Sequence, residues 1–209
     1  MRVQYVSRVP QLPLRALVDD LYYLEGAPPY ARLMLPPMPA ALLIVNLGAP
    51  LRIRGGSDPG PAGYADGCVI SAPTQALQFG YPPRTRSVGV HFKPWGLAPF
   101  LPMPAAELRD RPVTLEQLWG RAGTAELREQ LAMAHGPPEM LSLLEEELER
   151  RLSETAGLGL VRQTSSVLAA TRGAVAIGDL TAAAGVSSTH LAHRFKQLIG
   201  VPPKRLART

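Results

Sequence analysis

The pattern of hydrophobic and polar positions along the chain changes its period near residue 113. Before this point, short strand-like runs are separated by clusters of turn-forming residues. The five clearest runs are ALLIVNL (41–47), LRIRG (51–55), CVISA (68–72), QALQFGY (75–81) and SVGVHFK (87–93). Eighteen of the 22 prolines also precede Val113, a density that regular helices do not tolerate. These features predict a small antiparallel β-sandwich or barrel.

After residue 113 the apolar positions follow a helical period. Thr114 and Gln117 have the spacing of a capping box, which predicts a helix through LEQLWGRA (115–122). A second helix is predicted in AELREQLAMA (125–134), before the Gly-Pro-Pro break at 136–138. A third follows in EMLSLLEEELERRLSE (139–154), with one apolar stripe formed by Leu141, Leu144, Leu148 and Leu152. This stripe could pack on the chain's own sheet or pair with a second subunit, as in a coiled coil.

The last part of the sequence predicts a helix-turn-helix. Three helical stretches can be drawn, LVRQTSSVLAATR (160–172), GDLTAAAG (178–185) and SSTHLAHRFKQLIG (187–200). The last two are joined by Gly185, Val186 and Ser187. Glycine can adopt the left-handed conformation that ends a helix, and serine can cap the next helix. In this motif the second helix is placed to enter the major groove of DNA.

The helical period divides the final helix into two faces. Its apolar face holds Leu191, Phe195, Leu198 and Ile199, and Leu180 and Ala184 of the preceding helix can complete a small core. At about 100° per residue, other side chains point away from this core; they are Thr189, His193, Lys196 and Gln197, with His190 at the edge. Hydroxyl, imidazole, ammonium and amide groups can bind base edges and phosphates. The alternative is a solvated outer face of an ordinary helical hairpin.

The positive charge of the chain is concentrated in the same part. The net charge is +5. From residue 156 onward there are seven basic residues and one acid, Asp179, which gives 7 − 1 = +6. The remaining residues hold 22 − 7 = 15 basic and 17 − 1 = 16 acidic side chains, or −1. This asymmetry is typical of a polyanion-binding module joined to a neutral one.

The stretch IGDLTAAAGVSSTHLAHRFKQLIGVPPKRL (177–206) resembles the first helix-turn-helix of AraC-type transcription regulators. The shared positions are Gly185, Ser187, Leu191, Phe195, Gly200 and Pro203. Upstream, VNLGAPLRI (45–53) and the stretch 89–120 are similar, less specifically, to the sensor-like region of one AraC subgroup. We therefore expect an α+β fold, with a cupin-like β-barrel or sandwich followed by helices that end in a helix-turn-helix.

The resemblance also implies which residues would contact DNA. Ser187 would cap the helix, and positions 188, 189, 190, 192 and 193 would face the groove. With the nearby basic residues expected on phosphates, the predicted DNA-binding set is Ser187, Ser188, Thr189, His190, Ala192, His193, Arg194 and Lys196. His193 stands where such regulators often carry arginine. Histidine cannot make arginine's bidentate contact with guanine, so weaker or pH-dependent reading is expected.

One departure from the family pattern concerns length. AraC-type DNA domains carry two helix-turn-helix units joined by a linker helix, and here PPKRLART (202–209) would only begin that linker. Either the sequence is a shortened form, or each subunit has one reading head. A single head makes few contacts and is expected to bind DNA weakly unless a dimer presents two.

No catalytic or metal-binding constellation stands out. His190 and His193 are one helical turn apart but lack a nearby third ligand, and GGSDPGPAG (55–63) has no Walker lysine, so we interpret it as a hairpin loop. Cys68 lies in an apolar run and is expected to be buried and inert. Residues that could line a ligand cavity in the β domain are Phe79, Tyr81, His91, Phe92 and Trp95, although aromatic residues are more often core. We predict no cofactor, no metal and no enzymatic activity.

These observations predict three regions and one function. The regions are a β-rich sensor-like domain (1–112), connecting or dimerisation helices (113–156) and a helix-turn-helix subdomain (157–209). The predicted function is that of a DNA-binding transcriptional regulator, controlled by a small-molecule effector or by homodimerisation. The alternative is a ligand-binding or dimerising module whose incomplete DNA domain does not bind DNA alone. With no signal-like start and no apolar run near the required ~20 residues, we expect a cytoplasmic protein that does not enter membranes.

Overall fold

A computed structural model of the chain describes residues 3–55 and 63–206. The described residues form nine strands and seven α-helices. The strands are β1 (Gln4–Arg8), β2 (Val18–Gly26), β3 (Arg32–Leu35), β4 (Ala41–Asn46), β5 (Arg52–Arg54), β6 (Gly67–Ile70), β7 (Leu77–Gly80), β8 (Thr85–Phe92) and β9 (Val113–Thr114). The helices are α1 (Leu115–Trp119), α2 (Arg121–Met133), α3 (Pro137–Arg151), α4 (Leu158–Ala170), α5 (Ile177–Ala184), α6 (Ser188–Leu198) and α7 (Pro203–Leu206). The predicted α+β class is confirmed.

The strands form two antiparallel sheets. The larger sheet has the order β1-β2-β8-β4-β6-β9, and the smaller has the order β3-β7-β5. All five strand-like runs of the sequence contain a strand, but four further strands (β1, β2, β3 and β9) were missed. In β2 the acidic pair Asp19–Asp20 interrupts the alternation, at the point where the register with β8 shifts. The predicted hairpin loop at 55–63 falls largely on residues 56–62, which lie outside the described ranges.

The inner strands of the larger sheet are buried on both faces. One face carries Leu43, Val45, Val88 and Val90, which pack against helices α1 to α3 in the main core. The other face packs against the smaller sheet in a second core that includes Leu42, Ile44, Phe79 and Cys68. Cys68 is fully buried, and burial raises the pKa of its thiol, as expected for an inert cysteine. This burial on both faces explains why all six residues of β4 are apolar or fully buried.

Capping interactions set the start of the helical region. The Thr114 hydroxyl accepts a bond of 3.2 Å from the Gln117 amide, and the Gln117 side chain accepts one of 3.0 Å from the Thr114 amide. The capping box is therefore confirmed. The helix predicted over 115–122 ends earlier, at Gly120, whose φ of 77° stops α1 before α2 begins. The Gly-Pro-Pro break is also the start of α3, because proline fits the first turn of a helix.

The leucine stripe of α3 faces the chain's own sheet. Leu141, Leu144 and Leu148 are almost completely buried in the main core, and Leu152 packs at its margin. Intramolecular packing is thus confirmed for this stripe. A dimer through the same leucines would require α3 to leave the sheet, so any self-association would use another surface.

The C-terminal helices share a third core with the two sheets and their connections (3–55 and 63–114), which we call the β unit. Val161 and Leu168 of α4 pack with Leu180 of α5 and with the apolar face of α6, and Ala72 and Ala98 join them from the β unit. Gly200, at a φ of 91°, lets the end of α6 approach Ala105 so closely that an added Cβ would lie 3.1 Å from its carbonyl oxygen. No helix of the described ranges is both long and apolar enough to cross a membrane.

Candidate nucleic-acid interface

The turn between α5 and α6 has the left-handed glycine that the sequence predicts, and backbone hydrogen bonds hold it in place. Gly185 adopts a left-handed conformation with φ 64° and ψ 30°. Its amide bonds to the Ala182 carbonyl at 3.2 Å, and the Val186 amide bonds to the Thr181 carbonyl at 3.1 Å. This pair of bonds is the Schellman arrangement that closes a helix C-terminus. Glycine suits the position because a Cβ is disfavoured at this φ.

Ser187 caps α6. Its hydroxyl accepts a bond of 3.1 Å from the His190 amide, so the predicted N-cap is confirmed. The bond satisfies one of the amides that a helix start leaves without an intrahelical partner. The capped turn fixes the direction in which α6 leaves α5.

We expect Ser187→Ala to lower the free energy of unfolding by about 1 kcal/mol, because the His190 amide loses its partner. Urea denaturation followed by circular dichroism measures this change. Ser188→Ala is a matched control, since Ser188 is the equally exposed next residue and makes no capping bond. Equal effects of the two substitutions would contradict the role given to the Ser187 hydroxyl.

The two predicted faces of α6 are confirmed, except that Gln197, predicted on the outer face, is half-buried and accepts a bond from Arg194. Leu191 and Phe195 are fully buried, and Leu198 and Ile199 are at most 8 % exposed. Leu180 is buried with them, whereas Ala184 is only half-buried. The apolar face of α6 therefore anchors the helix to the third core and fixes which side chains remain outside.

Most of the polar side chains on the outer face of α6 are exposed. The exposed side chains are Thr189, His190, His193 and Lys196, preceded by Ser187 and Ser188. None of the first four has a side-chain hydrogen bond or ion pair with any residue in 3–55 or 63–206. These groups can therefore bind a partner without first breaking an internal contact.

Ala192 and Arg194 are less exposed than the predicted contact residues around them. Ala192 is half-buried. The Arg194 guanidinium donates a hydrogen bond of 3.2 Å to the Gln197 side chain. The Arg194 side chain also passes close to Gly157, since a Cβ added to that glycine would lie 3.1 Å from Arg194 Cδ. The Arg194 side chain thus lies along the flank of α6 next to the start of α4. Its contact with phosphate stays a prediction and would require the side chain to move outward.

The other C-terminal helices and the segments that join them carry further positive charge. Arg162, Arg172 and Lys204 are exposed, and none has a carboxylate oxygen within 4.0 Å among the residues that the structure describes. Unneutralised cations in this part of the chain attract a polyanion over a distance of about one Debye length, roughly 8 Å at physiological salt.

The predicted cavity residues do not converge on one site. Phe92 is in the main core, Phe79 is in the core between the sheets, and Trp95 lies between the β unit and the C-terminal helices. His91 Nδ1 lies 2.7 Å from Asp20 Oδ1, and its ring stacks on Tyr22. Only Phe79 and Tyr81 of the five stack on each other, with ring centroids 6.2 Å apart. The five candidates therefore do not line one cavity, because alternate strand residues face opposite sides of the sheet. For Phe79 and Phe92 the alternative, that aromatic residues belong to the core, is confirmed.

A cleft that the sequence did not reveal lies between α4 and the β unit. Its volume is about 800 Å³, and its lining includes Trp95, Leu168, Ser165 and Arg172. The buried Ser165 hydroxyl has no hydrogen-bond partner among the described residues. No sequence signal links Trp95 with residues some 70 positions later, so only the fold could bring them together. Within the described ranges, no three His, Cys, Asp or Glu side chains lie close enough to hold a metal ion.

Comparisons with known proteins give one family and one structural similarity. The model of the family described as Domain of unknown function (DUF6597) matches residues 7–114, just over half of the chain. No curated protein gives a significant match. Among solved structures, the chain is similar to an ethanolamine utilization protein Q from Salmonella typhimurium LT2. The identity is 16 %, the coverage is 43 % of this chain and 68 % of the other, and the TM-score is 0.33.

Proposed function

The chain belongs to the family Domain of unknown function (DUF6597), and we propose that it is a DNA-binding transcriptional regulator of AraC type. In this proposal the DUF6597 region is a cupin-like sensor unit, and α5 and α6 form a helix-turn-helix. The observation that carries the proposal is the exposed set Thr189, His193 and Lys196 on α6, which have no side-chain partner among the described residues although the opposite face of the helix is firmly buried.

The geometry of α6 suits insertion into a major groove. A major groove of about 12 Å admits one α-helix, and residues at the N-terminal end of a recognition helix contact the bases. Thr189 and His193 are one turn apart on the exposed face, so both could reach base edges. Lys196 lies on the same side one turn further along, where its long side chain suits a phosphate. Its positive charge contributes to affinity on any sequence.

The protein can be tested directly on DNA. A preferred sequence is first selected from a random duplex library with the 209-residue chain at about 50 mM salt, because phosphate contacts weaken steeply as salt rises. Fluorescence anisotropy then gives the dissociation constant of the unaltered protein and of each variant on the selected duplex and on a scrambled duplex.

We expect Thr189→Ala and His193→Ala each to weaken binding to the selected duplex by about 1–3 kcal/mol, with little effect on the scrambled one. Lys196→Ala should weaken binding to both duplexes and reduce the slope of log K against log salt by about 1. Arg121→Ala serves as the control, since it removes a highly exposed cation on α2. Two results would contradict the proposal. The protein does not bind DNA at low salt, or it binds with an affinity that none of the α6 substitutions changes.

A second candidate function is a ligand-binding or dimerising module that does not bind DNA on its own. The cleft of about 800 Å³ between α4 and the β unit favours it, because its volume is within the range of small-molecule sites. Two results would support this function if DNA affinity is not measurable at low salt. They are stable dimers in analytical ultracentrifugation and stabilisation by a small molecule. In the leading proposal, a small effector or a homodimer instead controls the DNA-binding form.

A further inference from the structure

Three arginines stand on the outer face of the smaller sheet. In its antiparallel register, Arg32 of β3 and Arg52 of β5 both lie opposite Gly80 of the central strand β7. Arg54 lies opposite Gln78, two positions along β7. The intervening residues Ile53 and Phe79 are buried, so alternation directs the arginines outward.

The central strand leaves a gap between these arginines. Gly80 presents no side chain, and a Cβ added there would lie 3.3 Å from Arg52 Cβ. The gap forms the floor of a groove of about 700 Å³, whose lining includes the three arginines, Gln78 and Tyr81. We call this feature the arginine groove. Its volume is in the range of sites for small organic ligands.

The charges in the arginine groove are not neutralised within the described residues. The side chains of Arg32, Arg52 and Arg54 have no hydrogen bond or ion pair there, whereas the side chains of Arg8 and Arg128 each bind a carboxylate. From strand spacings, the Cα atoms of Arg52 and Arg54 are about 7 Å apart, and those of Arg52 and Arg32 about 10 Å. These separations are comparable to the Debye length of about 8 Å, so mutual repulsion is only partly screened.

Protection of sheet edges accounts for only part of this arrangement. Charged residues on edge strands such as β3 and β5 oppose edge-to-edge aggregation. That role does not require a glycine between them on the central strand, where glycine weakens a sheet. A glycine floor between unpaired guanidiniums is instead suited to an anion that approaches the backbone closely.

We propose that the arginine groove binds a small organic oxyanion with at least two negative charges. Guanidinium groups bind phosphate and carboxylate oxygens through paired N–H donors, and the Gln78 amide adds a neutral donor. Pro82 and Pro83, which also line the groove, offer an apolar surface for the organic part of the ligand. The chemistry shared by phosphates and polycarboxylates is the feature recognised. This site does not depend on whether α6 binds DNA.

Two probes, pyrophosphate and citrate, test the proposal at constant ionic strength set with sodium chloride. The melting temperature and the affinity from isothermal titration calorimetry are measured for each probe. A ligand that binds only the folded state raises the melting temperature. We expect at least one probe to do so, and the Arg52→Gln/Arg54→Gln variant to weaken its binding at least tenfold. Arg121→Gln is the single-charge control, because it removes one exposed cation of α2 that does not line the groove.

A second variant tests the shape of the groove without changing its charge. Gly80→Val fills the floor, so it should also weaken probe binding at least tenfold, while circular dichroism without ligand checks that the variant is folded. Binding of pyrophosphate alone would identify a phosphate site, and binding of citrate alone a polycarboxylate site.

Three results would overturn the proposal. The first is that neither probe binds, and the second is that binding falls equally in Arg121→Gln. The third is that the arginine variant loses only DNA affinity, as Lys196→Ala is expected to do, which would make the groove a second DNA contact.

Discussion

Replacing Asn46 with aspartate is expected to lower the free energy of unfolding by about 3–5 kcal/mol, the cost of an unpaired buried charge. Asn46 is fully buried, and its Nδ2 group faces the carbonyl oxygens of Gly48, Ala49, Tyr64 and Ala65 at 2.9–3.5 Å. Asn46→Asp preserves the shape of the side chain but turns a donor into a negatively charged acceptor. The nearby Arg128 guanidinium is already paired with Asp66, so it offers limited compensation.

The pH dependence of this variant has a definite sign. Burial and the facing carbonyls disfavour the charged form, so the pKa of the new carboxyl is raised in the folded state. The folded state then binds more protons than the unfolded state. The loss of unfolding free energy in Asn46→Asp is therefore largest at high pH and becomes smaller as the pH falls through the raised pKa. Urea denaturation at several pH values measures this, with Gln163→Glu on the exposed surface of α4 as the control. Equal, small effects of both substitutions would contradict the role assigned to Asn46.

Truncating Phe195 is expected to cost about 3–5 kcal/mol, as for other large aromatic side chains removed from a core. Phe195 has no exposed surface and lies at the centre of the third core, where α4, α5 and α6 meet. Phe195→Ala removes the ring contacts that hold α6 against the third core and leaves a cavity in their place. The change should therefore weaken DNA binding as well as stability.

Tryptophan fluorescence during urea denaturation measures the effect, because Trp95 packs against this core. A Trp119→Phe background removes the signal of the second tryptophan, which packs against the main core. Val167→Ala is the control in the same unit, since Val167 is 37 % exposed on α4 and its loss should cost less than about 1 kcal/mol. An unchanged urea midpoint for Phe195→Ala would show that the third core does not hold the helices together.

Local signals made much of the secondary structure predictable. The capping box at Thr114, the left-handed Gly185 and the Ser187 cap each depend on residues within a few positions, and all three are observed. The strands that were missed depend on distant partners. The edge strand β1 has a largely exposed surface and forms by pairing with β2, a contact that its own sequence does not encode.

The candidate DNA-binding surface was partly predictable for the same reason. The helical period separated Phe195 from His193 and Lys196 without any knowledge of the fold, because both faces belong to one helix. It could not show that Arg194 would pack next to Gly157, since that contact joins α6 to the start of another helix. The assignment of individual DNA contacts remains a prediction for the binding experiments.

The sequence by itself determined the change from strands to helices, the capped turn at 185–187 and the two faces of α6. These features arise from backbone preferences and side-chain periods that act over a few residues. Only the tertiary structure decided that the α3 leucines face inward, that Asn46 is enclosed by carbonyls, and that Arg32 and Arg52 lie on either side of Gly80. Each of these depends on which distant segments pack together, because burial and charge proximity are properties of the folded chain rather than of any local stretch.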